Sequence, residues 1–555
     1  MAADAPRGDS GRVAIEAFAL ALLTALPLVP YFLYLREHPI GRFELRGDNA
    51  GLELATRYVS SGRTLLGPYS RFGFNHPGPL YFYALAPLYA LWGSTSTGIL
   101  AGAAVINASA AMTIVGAIRL ATTRAHAMAA TLVVLAWLGA FGDVCALPWN
   151  PLVVVLPMIA FLVLAALVAN RTWNALPVAV LAGAFVTETH LSTIPTVLGV
   201  SVAIAMVVAV RARRDPALDR RAKAHVLAGL AVLALAVTPP VVEQLITPTG
   251  NITKLMRFFS TRTEPLKPVR VALADWAFAT SWLPGRLRSQ ALLAELEPEI
   301  MRSVPTAAPS SIAAFSVPLV LLGLAAAAGV LAFRRRDHVS LALVATGGLA
   351  SVVSVGALRA IIGADYMYLL FWTTAATTLL WIGIASTCAR MLADLVERSS
   401  RASLGPVGVA LATVALFVVA LGVCSLQRGY LSRPALVPPP NPTLHDGYAA
   451  VRARLAATGA TPVFHADAAG WDIGMSFLLE SAKDGVDARV VERERWIFGR
   501  QPHGVDGLAR PLHVFVQTRE ARLAIRECLQ NLATVSEIEI YTSDIDVVVC
   551  PVRTP

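Results

Sequence analysis

One carboxylate and a few cations, gathered in a single polar stretch, are the residues here whose types could do chemistry. The stretch is FELRGDNAGLELATRYVSSGRTLLGPYSRFGFNHPGPLYFY, residues 43–83, and it follows the first long apolar run directly. A carboxylate fixed beside a hydroxyl can take its proton as a general base, and Asp48 is the residue of that type at the start of the stretch. Arg46, Arg71 and His76 accompany it. These are donors that pair with anionic oxygens, a phosphate among them. Further along, Glu188 and His190 fall at one turn, Glu243 lies just beyond an apolar run, and Arg359 and Asp365 share another turn. Ionisable residues at membrane depth are costly and point to function, whereas a turn at the interface holds them cheaply. Both readings stand for Glu188 and His190. Glu243, with the GNITKLMRFF segment after it, reads as a ligand or lipid contact or as solvated loop. Phe258, Phe259 and Trp276 have the faces to stack on a ligand ring, although loop aromatics more often pack.

The elements that hold these residues can be read from spacing. In AGLELATRYVSSG, Leu52, Ala55 and Val59 recur at helical intervals, with Glu53 and Arg57 four apart. A short amphipathic helix is expected, with Asp48 or Asn49 at its start. Either residue type makes a good N-cap, and capping and catalysis can coexist in one carboxylate. PLYFYALAPLYALWG (79–93) is apolar, but it is bracketed by Pro79 and Gly93 and interrupted by Pro87. At 1.5 Å per residue it covers roughly 22 Å, less than a hydrocarbon core of about 30 Å. Its Tyr and Trp residues favour the membrane boundary, so an interfacial helix is expected.

The chain has 555 residues, of which 56% are hydrophobic and 15% charged. Soluble chains carry about 25% charged residues. Apolar runs at roughly 12–34, 96–117, 126–145, 151–169, 175–189, 193–210, 225–240, 312–333, 339–358, 366–387 and 405–425 account for the shortfall. They predict a polytopic α-helical membrane protein of about eleven transmembrane helices. Fifteen Arg or Lys residues fall in the turns at 119–126, 170–174, 211–225, 334–338 and 389–403, and none in those at 142–150 and 187–193. The positive-inside rule then puts the N-terminus in the cytoplasm. Residues 35–95, about 241–311 and everything after the last span fall outside, in a plasma (inner) membrane setting. The net charge of +10 is explained by this topology, and no nucleic-acid motif accompanies it. Five Cys form no metal-ligand cluster.

Residues 1–430 therefore read as the membrane domain and 431–443 as a Pro-rich connector. Residues 444–555 read as a small extracytoplasmic α/β domain. Strands are expected in TPVFHA, ARVVE, PLHVFVQT, SEIEIY and DVVVC, and helices in HDGYAAVRARLAATG and REARLAIRECLQNLA. His465, Asp467 and Asp472 read as turn and surface residues. Cys528 and Cys550 form a disulfide candidate in an oxidising compartment.

One span, a loop whose acidic residue opens a short helix, then a basic-Pro segment leading into an interfacial helix that ends in Gly: this order resembles the GT-C membrane glycosyltransferases. The closest resemblance is to the protein mannosyltransferase and aminoarabinose transferase type, glycosyltransferase family 39. It covers the layout of the first six or so spans. It implies Asp48, followed by Asn49, at the position of the family's proposed base. It also implies His76-Pro77 at the segment that contacts the phosphate of the donor lipid, with Arg71 or Arg46 assisting. The donor implied is a polyprenyl-phosphate sugar, and the acceptor an envelope glycan, lipid or protein. A lipid-linked donor explains the lack of a nucleotide-binding domain. The sequence departs from the aminoarabinose-transferase pattern at Asn150-Pro151, where that type has Asp-Pro. A second carboxylate is lost there or has moved to Asp143, so a two-carboxylate metal site is not supported and no metal ligand is assigned. Asn-Pro is by itself an ordinary helix entry. Two other classes remain: a transporter or lipid flippase, and a non-catalytic envelope assembly protein whose C-terminal domain does the work. The one-sided distribution of ionisable residues, with no inverted repeat, argues against transport. Deleting residues 444–555 separates the assembly protein, since an enzyme core is expected to keep some activity.

Overall fold

The computed structural model describes residues 10–214, 216–287, 315–399, 404–431, 442–466, 471–490, 511–518, 539–541 and 545–551. Among these, ten helices are long and apolar enough to cross a membrane, and the chain is a multi-pass membrane protein. The expected span at 175–189 forms the helix Leu176–Thr189, 14 residues long. With the 3-10 turn Trp173–Ala175 before it, it is still shorter than the ten. The 79–93 run forms a helix only over Leu80–Leu91, with Pro87 inside it.

Two compact units emerge. The first comprises Met1–Tyr34, Ala103–Thr238 and Ser260–Arg433. Its centre is the span Asn150–Ala169, 94% buried, so this helix meets protein on nearly every side. Trp137, Phe141, Trp282 and Phe371 cluster beside it, with ring centroids 5.1 to 5.3 Å apart for neighbouring pairs. Lipid tails are as apolar as leucine, so close side-chain packing of this kind holds spans together. At the Arg-rich turns, Arg119 and Arg124 pair with Glu16, and His126 meets Asp337 at 3.1 Å. Asp337 in turn caps the helix His338–Leu358 through the Ser340 N–H.

The second unit comprises Leu35–Gly102, Pro239–Phe259 and Pro434–Pro555. The structure thus groups the chain differently from a reading along its length: residues 35–102 pack with the C-terminal domain. Strands β1 (Tyr69–Ser70) and β2 (Phe74–Asn75) form an antiparallel hairpin. The C-terminal sheet comprises β3 (Thr461–Ala466), β4 (Arg489–Val490), β5 (Pro511–Thr518), β6 (Glu539–Tyr541) and β7 (Ile545–Pro551), in the order β4-β3-β5-β7-β6. β3 runs parallel to β4 and β5, and β7 antiparallel to β5 and β6. The strands fall where alternating apolar residues place them. The helix expected at 519–533 and the Cys528–Cys550 pairing lie outside the described residues. So does Asp467.

One helix of this domain escapes the sequence reading. Trp471–Lys483 is helical, with Ile473, Met475, Phe477, Leu478 and Leu479 buried. Asp472 stands in its first turn, not on a surface turn. The core that this helix builds with Leu444, Tyr448, Val451 and Phe464 also contains Phe43, Ala50 and Leu54. Domain and polar stretch therefore share one hydrophobic core.

Candidate active site

The helix that carries Asp48 is Gly47–Arg57, and its N-cap is Arg46 in extended conformation. Asp48 is therefore not the cap but a first-turn residue. No side chain caps this helix; the Asn49 and Ala50 N–H groups donate to the Arg46 carbonyl. The Asp48 carboxylate accepts a short hydrogen bond from the Tyr69 hydroxyl. First-turn carboxylates are also favoured by the positive end of the helix dipole. Next to it, the buried Oδ1 of Asn49 has no hydrogen-bond partner among the described residues.

Tyr69 reaches Asp48 because it sits on β1. The loop Arg71–Gly73 between Ser70 and Phe74 is three residues long, with Gly73 at φ +82°. Left-handed Gly is what a three-residue hairpin loop asks for. Across the hairpin, Tyr69 pairs with Asn75, next to His76. The His76 backbone is fixed at both ends: its N–H donates to Pro68 O at 2.7 Å, and its carbonyl accepts from Gly67 N. The His76 residue is buried, while Arg71 is exposed with its guanidinium 5.0 Å from the centre of the Phe72 ring. Arg46 donates from Nε to Phe43 O at 3.0 Å.

Asn75 is held from a second direction. Its N–H donates to Asn251 Oδ1 at 2.8 Å, and Asn251 Nδ2 returns a bond to Asn75 O at 2.9 Å. The Asn251 N–H then donates to Glu243 Oε2 at 2.9 Å. Glu243 is 4% exposed, so it is a buried anchor at the start of the helix Asn251–Ser260, not a solvated loop residue. Phe258 on that helix packs on Phe72 and Phe74, 5.1 and 5.0 Å away, which makes it a packing aromatic. Asp48, Asn49, Arg46, Arg71, His76 and Glu243 thus belong to one unit, tied through Tyr69, Asn75 and Asn251.

Arg359 and His190 belong to the other unit. Arg359 donates from Nε to Lys267 O, and its own carbonyl accepts from Lys267 N. Those bonds sew the segment before the helix Val269–Arg286 to the turn at 359–365. His190 is buried, and burial pushes its imidazole down to about 4. Asn150 donates from Nδ2 to Thr189 O at 3.2 Å, an interhelical tie. Asp143 caps the 3-10 turn Val144–Ala146 through the Val144 N–H.

In the same unit as Arg359, Lys267 pairs with Asp365, and Asp275 lies in their field. Asp275 is 1% exposed, and its Oδ2, like that of Asp365, lacks a hydrogen-bond partner among the described residues. Burial first, then the Asp365 charge, push Asp275 up to about 7, against the pull of Lys267. A carboxyl raised above its unfolded value stabilises the fold at low pH and loses that stabilisation as pH rises through its folded value. Thermal unfolding of the purified protein is therefore expected to fall by a few degrees between pH 5 and pH 8. Asp275→Asn should flatten that slope; an unchanged slope would assign the effect to another group.

Residues missed in the sequence are partners rather than reactants. Tyr69 had a signal in the Gly67-Pro68 and Gly73 punctuation of a hairpin. Glu53 read as a helix-surface partner of Arg57. It is instead fully buried, taking hydrogen bonds from Tyr89 at 3.0 Å and Ser96 at 2.7 Å and pairing with Lys483 at 3.1 Å. Burial pushes its carboxyl above the usual carboxylate range, and Lys483 and the two hydroxyls work against that shift. Lys483 lies more than four hundred residues away, so no local spacing could reveal the pair.

The fold is of the GT-C type. Within that class, the chain is similar to crystal structures of ArnT, the aminoarabinose transferase of Cupriavidus metallidurans. Against the apo form the TM-score is 0.51 at 14% identity, and against the form bound to undecaprenyl phosphate it is 0.50 at 15%. Each comparison covers 95% of this chain and 97% of the other. No family model and no curated protein sequence matches the chain.

Proposed function

We propose that this protein is an integral membrane glycosyltransferase that moves a sugar from a polyprenyl-phosphate donor to an acceptor hydroxyl, on the outer face of the plasma membrane. The observation that carries this reading is the Asp48 carboxylate, held in the first turn of its helix by the Tyr69 hydroxyl, in a GT-C-type fold. That a solved structure of the same fold holds undecaprenyl phosphate supports the donor class.

In this reading the acceptor oxygen attacks the anomeric carbon, the bond from that carbon to the lipid-phosphate oxygen breaks, and Asp48 takes the acceptor's proton. Polyprenyl phosphate leaves with the bonding pair. The transition state has oxocarbenium character, as in other glycosyl transfers. The phosphate already leaves readily, so the protein must supply a base and positive charge. In this reading His76 and Arg71, on the hairpin that Tyr69 ties to Asp48, and Arg46, at the cap of the Asp48 helix, supply that charge. The hairpin has two anchors, Tyr69 on Asp48 and Asn75 on Asn251, and these support a fixed spacing between base and cations in this reading. Such fixed geometry lowers the barrier by removing orientational freedom in advance.

The test is to supply purified protein in lipid with a panel of polyprenyl-phosphate sugars and measure which is consumed, with release of polyprenyl phosphate. Movement of the lipid-linked sugar across a bilayer without release would instead establish the transporter reading. Consumption of none of the panel, with no movement, would favour the assembly protein.

A further inference from the structure

We propose that the C-terminal domain is a positioning part of the active site, with Trp471 holding Asp48 through Tyr69 and the rest of its helix fixing the backbone on which Asp48 stands. The inference rests on the reading of Asp48 as base. Its evidence is independent of that reading and comes from four sets of contacts within the second unit.

The first set is the backbone before Asp48. Phe43 has φ +64°, a left-handed conformation that a bulky residue adopts only when its surroundings impose it. The surroundings are aromatic rings of the C-terminal domain: His445 at 5.1 Å, Tyr448 at 5.4 Å and Phe477 at 5.5 Å between centroids. Ser476 Oγ donates to Leu45 O at 3.1 Å, and Arg42 Nε donates to Glu480 at 2.7 Å. Each residue from 42 to 45 except Glu44 is therefore bound by the helix Trp471–Lys483 or the helix Pro442–Thr458 before it. The second set is close approach. A Cβ on Gly51 would lie 2.6 Å from Met475 Cε, so the two helices touch where a larger residue would separate them.

The third set is the buried pair of Lys483 with Glu53, one and a half turns beyond Asp48 on the same helix. The fourth reaches the base itself. The Trp471 ring packs edge-on against Tyr69, centroids 5.7 Å apart, and lies 3.4 Å from where a Gly47 Cβ would stand. Tyr69 is the residue that donates to Asp48. Trp471 thus presses on both the hydrogen-bond donor and the residue preceding the acceptor.

Double-mutant analysis distinguishes positioning from plain structural support. Trp471→Ala is expected to lower kcat for transfer roughly tenfold with KM for the donor little changed, and Trp471→Phe to restore most of it. Tyr69→Phe, which removes one oxygen, should lower kcat similarly. Because both act on Asp48 by one route, the double variant should fall little further than either single variant. Hydrogen exchange at residues 47–57 should quicken in Trp471→Ala, a readout that needs no activity. Multiplied losses in the double variant would overturn the route through Tyr69. Wild-type kcat in Trp471→Ala, or unchanged exchange at 47–57, would overturn positioning altogether. Failure of the base reading looks different: Asp48→Asn would stay active while Trp471→Ala still loosened residues 47–57.

Discussion

Asp48→Asn is expected to leave the protein expressed and inserted and to reduce sugar transfer by about two to four orders of magnitude, the usual contribution of a positioned general base. The substitution keeps size and shape and still offers an oxygen to the Tyr69 hydroxyl. It removes the group that takes up a proton. The local fold should survive, because this residue does not cap its helix; the N-cap is Arg46 and no side chain serves there. Steady-state transfer with a competent lipid-linked donor, alongside unfolding temperature and polyprenyl-phosphate binding, reads the three properties separately. Full transfer in the variant would remove Asp48 as base. Lost binding or lowered stability with lost transfer would mean that its role is to build the site.

Removing residues 434–555 should abolish transfer, in contrast to what the reading of a separate outer domain implies. Phe43, Ala50 and Leu54 would lose the partners that bury them. Glu53 would be left in a buried site without Lys483, its only cation partner among the described residues. A finer variant isolates the charge. Lys483→Met breaks a buried pair from one side, which typically costs about 3–5 kcal/mol because the other charge stays uncompensated. Glu53→Leu combined with Lys483→Met removes both charges of this pair and should recover much of that loss, since Glu480, the other carboxylate on Lys483, keeps Arg42. Unfolding temperatures of the single and double variants measure this. Equal stability of Lys483→Met and wild type would mean that Glu53 reaches water.

These expectations carry different amounts of sequence. The proposal of Asp48 as base rests on a family resemblance carried by the order of features along the chain: a span, a polar loop with an acidic helix start, His76-Pro77, and an apolar run too short to cross. Hydropathy and the Arg distribution were enough for the membrane class, because no other solvent tolerates so many long apolar runs. The strands of the C-terminal domain were legible for a similar reason, since alternation over five to eight residues is a local property.

What the tertiary structure alone decided are the partners. Tyr69 on Asp48, Asn251 between Asn75 and Glu243, and Lys483 on Glu53 join residues 21, 176 and more than four hundred positions apart. Local spacing is blind to such pairs, because a hydrogen bond depends on where the chain returns and not on its neighbours. The helix Trp471–Lys483 escapes a reading by exposed and buried faces because it is buried continuously from Ile473 to Ser481, polar residues included. A helix buried on most sides has no reason to alternate. For the same reason Asp472 and Glu243 looked like surface residues: exposure is decided by what packs against a segment. The sequence by itself determined which residues could do chemistry and in which solvent the chain lives; the fold decided which side chains hold them, because only folding brings distant backbone to one place.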